Sequence, residues 1–289
     1  MNIPEQGSEQ RQFTIGSLFF WTAFVASCML LYVHPSSLTF LLVPALLILT
    51  LIFTQRSTIF ATFLMAIVWF CSFVLFQTVD DYRASEINGK CKSNVRLIAY
   101  ALHEYESEYG CFPPAFTVDD EGNPLHSWRT LILPFLDEAE RYESVDLTLP
   151  WDHPKNAKSL LPTPSVFRCS IREKKSRRDD GTTDYVGVVG EETLWKTSGK
   201  GTKLLDVDDS SQQKMMVIEM GQNRVPWMSP ADMTYEQFVQ RLQSMNAEGG
   251  VLDSHNGYCN CAYCDSNVGE LTLQSDIGEL ISSLDINGE

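Results

Sequence analysis

The sequence predicts an α+β chain: three N-terminal transmembrane helices, then one acidic domain in which a long amphipathic helix packs on a mostly antiparallel sheet. Three observations carry that prediction. Phe13 to Thr78 holds a single formal charge, Arg56, whereas the whole chain stands at −15. Cys91, Val95, Ile98, Leu102 and Tyr105 recur at spacings of four and three, which is one apolar stripe at helical period. The second half breaks into short β-rich runs punctuated by Gly, Asp, Asn and Ser, with no alternating βαβ units.

Residues 1–12 read as a short cytoplasmic tail. A bilayer core about 30 Å thick takes roughly 20 apolar residues as a helix. Phe13–Val33 has that length and is broken by His34-Pro35-Ser36-Ser37; Leu38–Thr54 and Ser57–Thr78 follow, separated by Gln55-Arg56. Linkers this short predict up-down-up hairpins, because unpaired backbone is not tolerated in lipid. Arg11 and Arg56 mark one side as cytoplasmic by the positive-inside rule, which places the acidic domain outside the cytoplasmic membrane. Arg83, Lys90 and Lys92 pull the other way. Beyond Cys28 and Cys71, six cysteines remain: an even set that suits an oxidising compartment but allows 15 connectivities, with packed thiols as the alternative.

Residues 79–273 form the predicted domain and 274–289 a tail. The striped helix, which the third apolar run can enter directly, ends at Gly110 and Pro113-Pro114. Ser127–Leu133 and Asp137–Ser144 read as helical turns divided by Pro134. Pro154–Leu161 is a third turn, with Pro154 at a favoured first position. Val166–Ser170, Asp184–Val189, Lys214–Met220 and Tyr258–Cys264 read as strands, and Asn267–Leu273 pairs back across Asp265-Ser266.

These elements carry a resemblance. Cys91-Lys92-Ser93-Asn94-Val95-Arg96-Leu97-Ile98, Tyr109-Gly110-Cys111-Phe112-Pro113-Pro114, Ser127-Trp128-Arg129, Pro150-Trp151-Asp152, Phe167-Arg168-Cys169, Asp184-Tyr185-Val186-Gly187 and Val225-Pro226-Trp227 occur in the order of a planctomycete-type family of unknown function. Its members have a prepilin-like N-terminus and a C-terminal signature of His, nine residues, then Asp-Gly. Here His255 and Asp265 have that spacing, with Ser266 in place of Gly. The resemblance covers most of residues 84–273 and implies a pseudopilin-like layout with no settled activity; some members are grouped with solute-binding proteins. Gln12-Phe13 and Gly16-Ser17 depart from the basic stretch, cleavage point and early Glu of that family, which weakens the case for prepilin processing.

The candidate chemistry is sparse. His255, Cys259, Cys261 and Cys264 offer four soft ligands for a metal such as zinc, but on a strand Cys259 and Cys261 share a face that Cys264 does not. His255 and Asp265 could form an acid–base pair for a hydrolase-like reaction; a turn role for Asp265 and a packing role for His255 are the simpler account. Asp119, Asp120 and Glu121, like Asp206, Asp208 and Asp209, lack the full EF-hand pattern. Arg172, Lys174, Lys175, Arg177 and Arg178 form one basic cluster on a chain whose net charge repels nucleic acid. Trp128 and Trp151 are candidates for either a rigid aromatic lining or the core. A disulfide between Cys91 and Cys169, both in segments that resemble the family, would fasten the helix to the sheet. Closing a loop of about 80 residues, it would contribute roughly 3–5 kcal/mol. Pairing of Cys91 with Cys111 is poorly served, since twenty helical residues span about 30 Å. No cofactor is expected. The function these features predict is a structural or protein-interaction role at the cell envelope, not an enzyme, with a ligand- or metal-binding module as the alternative.

Overall fold

The computed structural model describes residues 58–170, 179–207, 214–220, 225–248, 258–272, 275 and 277–286. Its contacts divide the chain into Met1–Tyr82 and Arg83–Glu289. Helix α1, Thr58–Tyr109, is the first described element. Gly110 ends it with φ +76° and returns its N–H to Glu106 O at 2.7 Å, the left-handed stop that a residue without Cβ adopts at least cost.

The expected anchor of three transmembrane helices is overturned. Among the described residues no helix is long and apolar enough to cross a membrane. The described part of the third apolar run, residues 58–78, is not a bounded element: it is the leading part of α1 and enters the striped helix directly, as the sequence allowed, carrying on through Glu86 and Lys90 to Tyr109. The stretches 13–33 and 38–54 lie outside the described residues.

After α1, strands β1 (Phe116–Val118) and β2 (Pro124–Ser127) form an antiparallel hairpin. Helices α2 (Trp128–Leu131), α3 (Ala139–Ser144) and α4 (Ala157–Leu160) are short, and Leu133–Leu136 is a 3-10 turn with Pro134 in its first positions. Pro154 therefore precedes α4 instead of opening it. Val166–Ser170, expected as a strand, is led by a 3-10 turn at Ser165–Phe167. Packing overrides its β-rich composition there: Phe167 is fully buried, 5.8 Å from Trp227 and 6.5 Å from Trp128.

Strands β3 (Thr182–Thr183), β4 (Tyr185–Val186), β5 (Val188–Val189), β6 (Met215–Glu219), β7 (Val225–Pro226) and β8 (Met233–Thr234) lead into helix α5 (Tyr235–Glu248). Strands β9 (Tyr258–Tyr263) and β10 (Val268–Thr272) and helix α6 (Ile277–Ser282) complete the order. The main sheet runs β10-β9-β6-β4, antiparallel at every step; β3–β7 is antiparallel and β5–β8 parallel. The α+β architecture with a mostly antiparallel sheet thus stands.

Strand alternation sorts the core into two sides. Val95, Ile98 and Leu102 of α1 cluster with Tyr185, Val217 and Ala262 from one face of the sheet. Phe238 and Leu242 of α5 and Leu280 of α6 cluster with Val186, Ile218, Cys259, Cys261 and Leu271 from the other. Four of the five stripe residues, Cys91, Val95, Ile98 and Leu102, are fully buried, and Tyr105 is half-buried against that core.

Candidate functional site

The sheet face toward α1 carries polar groups inside an otherwise apolar layer. Cys91 comes from α1, Cys169 from the segment just after the 3-10 turn at Ser165–Phe167, and Glu219 ends β6. All three are buried, and one ligand atom of each lies within 4.8 Å of the other two. The two sulfurs stand 3.5 Å apart.

Neighbouring groups orient this cluster. Asn260 Nδ2 donates to Glu219 Oε2 at 2.7 Å and to Asn88 Oδ1 at 3.3 Å, so β9 steers the carboxylate and ties it back to α1. The Ser170 N–H donates to Cys91 Sγ at 3.4 Å, and the Cys169 N–H to Asp184 Oδ2 at 3.3 Å. Asn94 Nδ2 reaches Arg168 O at 3.1 Å and the Tyr185 hydroxyl at 3.4 Å. The Cys169 thiol is held far above its ordinary value by its hydrogen bond to Cys91, by burial and by the Glu219 charge. Burial raises the Tyr185 hydroxyl as well, with the Glu219 charge adding to it.

A second polar group lies nearby, built on Arg129. Its side chain and that of Asp232 are both 0% exposed. Arg129 Nη2 pairs with Asp232 Oδ1, Nη1 reaches Asp232 Oδ2 at 3.2 Å and Ser127 Oγ at 2.7 Å, and Nε donates to Tyr185 O at 2.9 Å. Asp232 also accepts from the Gly187 N–H at 2.9 Å and Trp128 Nε1 at 3.1 Å. Each carboxylate oxygen thus has two donors. The guanidinium stacks 4.6 Å from the Trp128 ring centroid. This is a satisfied structural pair, and nothing in the sequence reading singled it out.

Of the residues the sequence singled out, His255 and the basic cluster at 172–178 lie outside the described residues. Asp265 closes the β9–β10 turn: its carboxylate accepts from the Asn267 N–H at 2.9 Å and Asn267 Nδ2 at 2.6 Å, and Ser266 takes φ +64°. Cys259 and Cys261 point to the α5 and α6 side of the sheet, whereas Cys264 belongs to the core on the other side. Burial pushes all three thiols up, Cys261 to about 11 and Cys264 to about 12. Among the described residues, which leave out His255, the group that could hold a metal is Cys91, Cys169 and Glu219. Trp128 and Trp227 are core, with Trp128 stacked 4.8 Å from Trp195. Asp119 is occupied by its own turn, accepting the N–H groups of Glu121 and Asn123.

On the outer side of α1, within Arg83–Glu289, Leu97 is 48% and Tyr100 52% exposed. Glu104 and Glu108 continue the same stripe at helical spacing and are exposed as well.

No curated protein and no solved structure matches the chain. One family model does, over residues 88–232, a span that takes in Cys91, Cys169, Glu219, Arg129 and Asp232 and stops before His255 and Asp265. That span is half of the sequence, and the chain belongs to the family described as "Protein of unknown function (DUF1559)".

Proposed function

We propose that the chain is a structural, protein-interaction component of the cell envelope, with the helix-on-sheet layout of a pseudopilin. The observation that carries the interaction role is the outer stripe of α1. Its inner stripe is fully buried from Cys91 to Leu102, yet Leu97 and Tyr100 keep about half of their surface exposed, with Glu104 and Glu108 extending the row. Exposed apolar side chains next to a charged rim are the usual composition of a docking surface. The partner that fits is a protein with an apolar groove edged by Lys or Arg, a choice favoured by the chain's net charge of −15. The envelope setting is the expectation drawn from the resemblance of residues 84–273.

The test is recovery of a defined partner by the full-length protein and its dependence on this stripe. Wild-type protein should retain the partner at moderate salt and release it as salt rises. The double substitution Leu97→Ser, Tyr100→Ser should abolish recovery while the protein stays folded with only a small drop in melting temperature, because about half of each side chain already faces solvent. Substitution of Asp119, on a turn outside the stripe, should leave recovery intact. Unchanged recovery by the Leu97/Tyr100 variant would refute the assignment.

A further inference from the structure

We infer that Cys91, Cys169 and Glu219 form a binding site for a divalent ion of the zinc class. The three donors come from α1, from the segment after the Ser165–Phe167 turn and from the end of β6, and converge only in the fold, with their ligand atoms within 4.8 Å of one another. Two thiolates on one zinc ion, each at ~2.3 Å and at a tetrahedral angle, stand roughly 3.7 Å apart. The two sulfurs here are 3.5 Å apart, so both can reach a common ion without moving the backbone. A disulfide would bring them to about 2.0 Å. Borderline-soft zinc accepts a mixed thiolate and carboxylate set, whereas calcium and magnesium require oxygen donors throughout.

The surroundings match what holds metal ligands in place. Asn260 Nδ2 fixes the Glu219 carboxylate through Oε2 at 2.7 Å, which orients it toward the two sulfurs. The Ser170 N–H directed at Cys91 Sγ stabilises negative charge on that sulfur. Three protein donors fill three tetrahedral positions, and the fourth takes water or an incoming ligand. Binding sends the two thiol protons to solvent and changes no oxidation state. An ion there would tie α1 to the sheet at the point where a Cys91–Cys169 disulfide would otherwise do so. The two states exclude each other, because a disulfide sulfur is no longer a thiolate.

The experiment uses full-length protein isolated without oxygen, with its thiols trapped by alkylation in a parallel sample, and Co²⁺ as the spectroscopic probe. One cobalt per chain should bind, with a thiolate-to-metal charge-transfer band and the intense d–d bands of a tetrahedral centre, and Zn²⁺ should displace it. Cys91→Ser and Cys169→Ser should each remove the charge-transfer intensity or lower it to that of a single thiolate. Glu219→Gln keeps the side-chain volume and should weaken binding at least tenfold while the protein stays folded. Cys259→Ala, on the other side of the sheet, should leave the spectrum unchanged. Zn²⁺ should also raise the melting temperature of wild-type protein and not of Glu219→Gln at the same concentration. A cross-linked Cys91–Cys169 peptide in the trapped sample would overturn the site. So would cobalt bands that keep their full two-thiolate intensity in Cys91→Ser, or reduced protein that gives neither bands nor a zinc-dependent shift.

Discussion

Replacing Asp232 by Asn removes a buried charge while keeping the shape of the side chain, and the structure sets the cost. Asp232 accepts four donors: Arg129 Nη2 and the Gly187 N–H on Oδ1, Arg129 Nη1 and Trp128 Nε1 on Oδ2. An Asn must present its NH₂ to one of these pairs, so whichever way it turns, two donors lose their acceptor. Each buried donor left without a partner costs about 1–3 kcal/mol, which gives roughly 4 kcal/mol in total. Breaking a buried ion pair from one side costs about 3–5 kcal/mol, in agreement. With a urea m-value of about 2 kcal/mol/M, the unfolding midpoint should fall by about 2 M at unchanged slope. Arg129→Met should behave differently with pH. Arg129 cannot shed its proton, whereas Asp232, already pushed up by burial and held back by Arg129, can take one up once the guanidinium is gone. A carboxyl raised in the folded state binds protons that the unfolded chain releases, so the deficit of Arg129→Met should shrink as pH falls from 7 toward 5. The deficit of Asp232→Asn should not. A midpoint shift below about 0.5 M for Asp232→Asn, or identical pH dependence in the two variants, would refute this account of the pair.

Three further outcomes follow from single contacts. Thr234 and Gln237 form a reciprocal cap at the start of α5, with Gln237 N–H on Thr234 Oγ1 at 3.2 Å and Thr234 N–H on Gln237 Oε1 at 3.0 Å. Thr234→Ala should therefore cost about 1 kcal/mol, read as a melting temperature lowered by about 2–4 °C. A Cβ on Gly201 would lie 2.1 Å from Phe112 O and 2.9 Å from Cys111 Sγ, so Gly201→Ala should destabilise by about 3 kcal/mol in calorimetry, and a neutral effect would contradict the close approach. His126 is buried, with Nε2 2.7 Å from Leu149 O and no partner for Nδ1, and burial holds its pKa below the ordinary 6.5. The unfolded chain binds a proton below about 6.5 that the folded ring refuses, so stability should be full above that pH and fall beneath it. In His126→Gln that part of the pH dependence should vanish from urea titrations.

Local signals in the sequence were enough for the elements whose geometry is local. The stripe from Cys91 to Leu102 fixed the buried face of α1, because residues three and four apart share one side of any helix. Gly110 fixed its end, and Asp265-Ser266 fixed the β9–β10 hairpin with Val268 opposite Ala262. Two further elements have local signals in the sequence. The Thr234-Tyr235-Glu236-Gln237 capping box announces α5, and Asp119 to Asn123 carries the turn of the β1–β2 hairpin. Apolar composition misled where it stood alone. Residues 58–78 have the length of a span, yet no described helix is long and apolar enough to cross a membrane, and Val166–Ser170 has strand residues yet bends to bury Phe167.

What only the tertiary structure decided is which distant residues meet. Arg129 and Asp232 are 103 residues apart, so no periodicity links them; the sequence does suggest that Cys91 and Cys169 meet, but not that Glu219 joins them. Alternation along β9, legible in the sequence, turns Cys259 and Cys261 toward α5 and α6 and Cys264 the other way. The same alternation turns Asn260 toward Glu219, where α1 brings Cys91 and the segment after the 3-10 turn brings Cys169. Closeness along a strand separates neighbours onto opposite faces, whereas a helix laid across a sheet joins residues from three parts of the chain, and only the packed core sets that register.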